Sequence, residues 1–280
     1  LRAGDLEADF APGAGMVCSS LRLGGEELLG QRKGLEAYAS SGSTMGIPLL
    51  YPWANRLSAR RFELAGETVD LDRAPDRFRD DGETGLPIHG ARTAGGAWTV
   101  EAADERSVKA SFDWGADAEL MAAFPFAHRA TYEAALDEDG GALRISVSID
   151  RRVPVSFGFH PYFLLADGDR LEAPVRERLV LDERKLPTGE RAPAAPLAGA
   201  RAERGYDDAF VAPRGPCRVC GEARTITTRL EQGFGFLQVF APPSEEVVSF
   251  EPMTAPADAL VSGRDLPCGP HTGAFAIEVG

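Results

Sequence analysis

The sequence predicts an all-β fold, an antiparallel sandwich or barrel, and three observations carry that prediction. Period-two alternation recurs to the end of the chain, helical patterning is nearly absent, and no internal repeat recurs at a fixed period. The last of these argues against a propeller. With 280 residues the chain can bury about three quarters of its unfolded surface, so no metal or disulfide staple is required.

Taken in order, residues 16–23, 61–65 and 68–71 read as strands, the last two joined through Gly66. Residues 98–102 follow, then a run in which Val108, Ala110, Phe112 and Trp114 share one side. Residues 116–123 form the only helix-like stretch, and it is short. Residues 128–136 pass through the turn Asp137-Glu138-Asp139-Gly140-Gly141 into a run whose Leu143, Ile145, Val147 and Ile149 line one face. Further strands are expected at 178–181, 234–240, 247–251 and 274–279. Two segments interrupt the rhythm, the charged stretch 70–85 and the Pro/Ala/Gly-rich stretch 185–205, which read as loops that wall or cover a site. Strand patterning is the same on both sides of each, so one domain over 1–280 is expected.

A formal net charge of −13 repels nucleic acid and anionic lipid, which excludes polyanion binding as the main business of the chain. Hydrophobic content of 44% with 26% charged residues is that of a globular protein, and the apolar stretch 157–166 is broken by His160 and Pro161 well short of a membrane span. Residues 1–10 carry acids where a secretory signal would carry bases, and the missing initiator Met leaves room for trimming. Cys18 and Cys268 stand alone, and the Cys217/Cys220 pair lacks the further ligands of a zinc site. Two reduced thiols flanking a turn are expected there. Sparse cysteine fits a reducing, cytoplasmic setting, with neither a nucleic-acid nor a membrane partner.

Chemistry must come from few residues. Of the four histidines, His128 opens a strand and His271 sits in a Gly-Pro-His-Thr turn, positions that are usually structural or solvated. His160 lies in Phe157-Gly158-Phe159-His160-Pro161-Tyr162-Phe163, where alternation puts Phe157 and Phe159 on one face and the imidazole on the other. A histidine in an apolar strand is more often a satisfied core residue than a catalyst, so its neighbours must decide. In Val247-Val248-Ser249-Phe250-Glu251-Pro252, Val248 and Phe250 face one way and Glu251 the other, so a carboxylate ends an apolar strand. Burying it costs several kcal/mol unless it is paired or working; a salt bridge to an arginine is the equal alternative. Tyr51-Pro52-Trp53-Ala54-Asn55-Arg56 places an amide and a guanidinium after an aromatic, a trio that suits a sugar stacked on the ring and held by forked donors. The plainer reading is a surface loop with an anchored Trp. His89 follows Pro87-Ile88, and Asp207 ends the second long loop, where it could accept from a polyol.

As an ordered set these segments resemble the aldose 1-epimerase, or mutarotase, family. The resemblance runs through residues 48–62, Ile88-His89-Gly90 with Trp98, Phe159-His160-Pro161-Tyr162-Phe163, Leu186-Pro187-Thr188-Gly189, residues 206–210 and 250–260, and closes on Leu266-Pro267-Cys268-Gly269. It implies the large antiparallel β-sandwich, or supersandwich, of galactose mutarotase-like proteins. It also implies that His160 is the general acid, Glu251 the general base, and that Asn55, Arg56, His89 and Asp207 hold sugar hydroxyls. The implied reaction exchanges α and β anomers of a free aldose, a hexose, by acid–base ring opening with no metal or cofactor, in a monomer or homodimer. The two proton carriers are expected to meet across one saccharide ring.

Glu251-Pro252-Met253-Thr254 replaces the Glu-Thr-Gln-type sequence of galactose-acting members, and Ala257-Asp258-Ala259-Leu260 lacks the following Asn of their Pro-Asp-Ala-x-Asn. Both features place the chain nearer the bacterial, less characterised branch. Two alternatives stay open. One is a hexose-phosphate mutarotase using Arg60-Arg61, Arg92 or Arg151-Arg152, which read more plainly as solvated strand termini. The other is a sugar-binding sensor without turnover.

Overall fold

Which side of each strand is buried follows from its alternation. A computed structural model describes residues 1–200, 205–267 and 271–280, so Cys268 and Gly269 lie outside the described residues. Nine strands form one sheet in the order Thr99–Ala103, Ser107–Asp113, Arg129–Leu136, Ala142–Ile149, Thr272–Val279, Thr225–Gln232, Cys217–Cys220, Arg170–Ala173, Leu197–Gly199. Ala134 pairs with Ile145 and Ile145 with Phe275, so one face is an unbroken apolar layer.

The second large sheet has eight strands. Along its main path run Pro187–Pro193, Glu177–Leu181, Tyr206–Val211, Phe236–Ala241, Val247–Met253, Gly158–Phe159 and Leu49–Leu50, and Phe163–Leu164 pairs with Val247–Met253 off that path. Leu237 lies opposite Phe210, and Val239 opposite Phe250. These join Ile145, Phe159 and Phe275 in one core between the sheets, and the Phe159 and Phe275 ring centroids are 4.9 Å apart. Its other face carries Glu251 opposite Gln238 and Asp207 opposite Phe240. The site is built there.

Several expectations shift. The stretch 185–205 is not an open loop over its described part, since Pro187–Pro193 and Leu197–Gly199 are strands. Each lies at a sheet edge, where a missing N–H or side chain does least harm, so their composition disguised them. The Cys217/Cys220 thiols sit on one strand, Cys217–Cys220, and do not flank a turn; both are free. Strand Val247–Met253 runs through Pro252 instead of ending before it. Helix Ala118–Ala123 forms as expected, with the Asp117 carboxylate accepting from the N–H groups of Glu119 and Leu120. Helix Gly34–Ser41 was not foreseen, because its small residues give no apolar stripe and it buries little besides Tyr38. Among the described residues no helix is long and apolar enough to cross a membrane.

Candidate active site

His160 follows the two-residue strand Gly158–Phe159, and its N–H donates to the Pro48 carbonyl at 3.2 Å. With Phe159 turned into the core, the imidazole faces outward, yet it is only 4% exposed. Glu251 sits one strand away at 2% exposure, and its Oε1 is 3.3 Å from His160 Nε2. The pair therefore stands side by side on one wall and does not meet across a ring, which corrects the sequence expectation. Beyond it opens a cleft of about 200 Å³ lined by Arg32, Thr44, Asn55, Arg56, Arg79, Asp81, His89, Tyr162, Asp207 and Phe240 among others. That is smaller than the roughly 300–1,000 Å³ of drug-sized ligand sites and fits one small polar molecule.

The adjoining wall, whose His89 ring packs edge-on against His160 with centroids 5.6 Å apart, is made of loops pinned by single bridges. Tyr51 pairs with Gly90, Trp53 with Ser156, and Arg56 with Ile88. Gly90 has φ +69°, and a β-carbon there would lie 2.2 Å from the Tyr51 carbonyl oxygen, so only glycine lets the two segments meet. Asn55 and His89 also adopt left-handed φ, +59° and +65°, and lock together. His89 N–H donates to Asn55 O at 3.0 Å, and Asn55 N–H donates to His89 Nδ1 at 3.3 Å. Because Nδ1 accepts, a neutral His89 carries its proton on Nε2, available as a donor. Burial first, then the charges of Arg79, His160 and Arg56, hold its pKa well below the ordinary 6.5. Arg56 donates through Nε to Asp81 at 2.8 Å and through a terminal nitrogen to Asn55 Oδ1 at 3.3 Å.

Asp207, not Asp208, lines the cleft. Its carboxylate accepts from Gln238 at 2.7 Å and from the Lys185 ammonium at 2.8 Å, with Arg56 4.0 Å away. All six residues singled out in the sequence thus share one cleft.

Sequence reasoning assigned no role to Tyr162, Arg32, Thr44 or Arg79. Tyr162 stacks on His160, with centroids 4.2 Å apart, and its hydroxyl is 3.2 Å from His160 Nε2 and 2.7 Å from Thr44 Oγ1. Arg32 donates to that hydroxyl at 3.1 Å and grips Glu245 with two bonds of 2.8 and 2.9 Å. Tyr162 alternates with His160 in sequence and so shares its face, a signal that was legible; Arg32 and Thr44 arrive from a distant loop and gave none. Trp53 is no sugar platform: fully buried, it stacks on Phe78 at 5.5 Å. The aromatic rings in the cleft wall, besides the two imidazoles, are those of Tyr162 and Phe240. His128 is structural, stacked on Trp114 with Nδ1 at the Phe126 carbonyl. Arg60, Arg61 and Arg151 are ion-paired outside the cleft.

Electrostatically, the surroundings favour the uncharged form of each group. Desolvation, then Arg32 and Arg79, push the His160 pKa well below 6.5, while desolvation and Asp207 raise that of Glu251 well above 4.5 against the pull of Arg56. Neutral imidazole plus protonated carboxyl holds the same single proton as imidazolium plus carboxylate, and a transfer over the 3.3 Å contact interconverts them. One group can then donate while its neighbour accepts. Among the described residues no cluster of three or more His, Cys, Asp or Glu is arranged for a metal.

Residues 12–263 match the model of the family described as Aldose 1-epimerase. The chain belongs to the aldose 1-epimerase family. It is an isomerase of that type, and its sheets form the galactose mutarotase-like β-sandwich. Among solved structures it is similar to the Slr1438 protein of Synechocystis sp. PCC 6803, at 21% identity and TM-score 0.78, covering 99% of this chain and 92% of that one. A galactose mutarotase-like protein of Clostridium acetobutylicum gives 17% identity, TM-score 0.77 and coverage of 100% and 94%. Galactose 1-epimerase of Lactobacillus acidophilus NCFM gives 14%, 0.76, and 100% and 92%. No curated protein matches the sequence.

Proposed function

We propose that this aldose 1-epimerase family member interconverts the α and β anomers of a free aldose, most simply a hexose, with His160 and Glu251 as the proton carriers. The observation that carries this reading is the 3.3 Å side-by-side contact between an imidazole and a carboxyl in a sugar-sized cleft. The C1 hydroxyl and the ring oxygen of an aldose are bonded to the same carbon, so an acid and a base serving them must stand next to each other. Glu251 takes the C1 hydroxyl proton as His160 protonates the ring oxygen; the ring opens, the C1–C2 bond turns, and the same groups reverse roles to close the other anomer. Asn55, Arg56, His89 and Asp207 hold the remaining hydroxyls. Polarimetry of freshly dissolved α-D-glucose and α-D-galactose tests the reading: the enzyme hastens equilibration of at least one aldose, and a panel of aldoses that equilibrates no faster than in buffer refutes it.

The pair needs one proton, which fixes the pH dependence. Activity falls in acid when imidazole and carboxyl are both protonated, and in alkali when both have lost the proton. Burial, Arg32 and Arg79 displace the acid limb below the ordinary histidine value of 6.5. Accordingly kcat/KM stays on its plateau as pH is lowered through 6.5, and an acid-side loss centred at that value contradicts this account.

A further inference from the structure

Tyr162 is held more firmly than a side chain that merely lines a cleft needs to be. Its N–H donates to the Gly46 carbonyl at 2.9 Å, its carbonyl accepts from Gly30 N–H at 2.7 Å, and Gly46 N–H donates to Gly30 O at 3.1 Å. The chain between those glycines, which carries helix Gly34–Ser41, therefore leaves and returns at Tyr162. Just inside either end of that excursion stand Arg32 and Thr44, and both reach back to the Tyr162 hydroxyl, at 3.1 and 2.7 Å. The remaining atom at this junction is His160 Nε2, 3.2 Å from the hydroxyl oxygen, with the two rings stacked 4.2 Å apart at 15°. Tyr162 is buried, so the hydroxyl must find its partners among these groups.

Counting protons shows what the junction can do. Arg32 only donates, and one of its terminal nitrogens reaches both Tyr162 Oη and Thr44 Oγ1, the latter at 3.3 Å. One proton lies between the two hydroxyl oxygens, and either residue can supply it. When Thr44 supplies it, the Tyr162 proton is left for a bare His160 Nε2. When Tyr162 supplies it, the Tyr162 oxygen accepts from a protonated Nε2, and the Thr44 proton turns to the cleft that Thr44 lines. The hydroxyl thus suits both states of the imidazole. Burial pushes the phenol up to about 12, so it keeps its proton at neutral pH and does not replace His160 as the acid. Glu251 Oε1, 3.3 Å from the same nitrogen, is the partner whose own protonation changes during the reaction. Among the described residues no group orients the ring from its other side, since His160 Nδ1 is buried without a hydrogen-bond partner. A working imidazole is ordinarily oriented through its second nitrogen, and here the orienting bond falls on the reacting one. We propose that Tyr162 is a positioning residue for the proton transfer: its hydroxyl, aimed by Arg32 and Thr44, donates to His160 Nε2 when that nitrogen is bare and accepts from it when it is protonated, keeping the imidazole beside Glu251 through ring opening and closure. This rests on the mutarotase reading, with His160 as a proton carrier. Nε2 lends its proton to the ring oxygen on opening and recovers it on closing, so the hydroxyl protons reorient and none is consumed.

Tyr162→Phe tests this, because it keeps the stacked ring and deletes only the hydroxyl. It lowers kcat for anomer exchange by about 10- to 100-fold, the worth of a hydrogen bond to a charged group, and leaves KM nearly unchanged. Thr44→Val, which removes one of the two proton arrangements, lowers kcat less, and it adds nothing in the Tyr162→Phe background because it acts through the same hydroxyl. In nitrogen NMR of the isotopically labelled protein, Tyr162→Phe moves the His160 Nε2 resonance even without sugar. A Tyr162→Phe enzyme with wild-type kcat, an effect confined to KM or to thermal stability, or an unmoved Nε2 resonance overturns the inference. A wild type that equilibrates no aldose, with the Nε2 resonance still answering to Tyr162→Phe, would remove the mutarotase reading and leave the hydrogen bond to Nε2 standing.

Discussion

Glu251→Gln and His160→Gln each lower kcat/KM for anomer exchange by about 10²- to 10⁴-fold, the contribution of one positioned proton transfer. Combining the two lowers it little further, because the groups act as a unit on one proton. The Glu251→Gln protein stays folded. Burial and Asp207 already favour the uncharged carboxyl, and Glu251 Oε2 has no hydrogen-bond partner to lose, so a neutral amide of the same shape replaces a neutral acid. Thermal unfolding beside the exchange assay separates lost chemistry from lost structure. A Glu251→Gln enzyme of full activity removes the carboxyl from the mechanism.

Trp53→Ala destabilises the protein by about 3–5 kcal/mol, the range for emptying a large aromatic site in a core. Trp53 is fully buried, stacks on Phe78, and lies 6.5 Å from the Phe124 ring, so the cavity cannot be filled by solvent-facing neighbours. Its backbone bridge to Ser156 ties the Asn55–Arg56 segment to the sheet, which makes activity fall with stability. Trp53→Phe separates the two roles that sequence left open. As a core anchor it costs stability with KM nearly unchanged, whereas a sugar platform would raise KM in a protein of near wild-type stability. Denaturant unfolding with kcat and KM measured on both variants checks this.

The difference between these two positions is instructive about what sequence can carry. His160 and Glu251 were legible because strand alternation is a local rule. Phe157, Phe159, Val248 and Phe250 announce the core face, and a polar residue out of phase with them must look elsewhere. Trp53 obeys no such rule, since irregular backbone gives its side chain no default direction. The expected strands at 128–136, 247–251 and 274–279 reappear with bounds shifted by a residue or two, as Arg129–Leu136, Val247–Met253 and Thr272–Val279. Pro187–Pro193 was masked by the residues that suit it to an edge. The neighbours of the site were hardest to read. Arg32 reaches Tyr162 and Thr44 from 130 and 12 positions away, which no spacing encodes.

The most direct measurement is a crystal structure with an aldose bound in the cleft. The account predicts the C1 hydroxyl within hydrogen-bond reach of the Glu251 carboxyl and the ring oxygen within reach of His160 Nε2, with C1 set against the pair. A sugar seated with its C3–C4 edge on His160 and Glu251, or held elsewhere with the pair untouched, contradicts it.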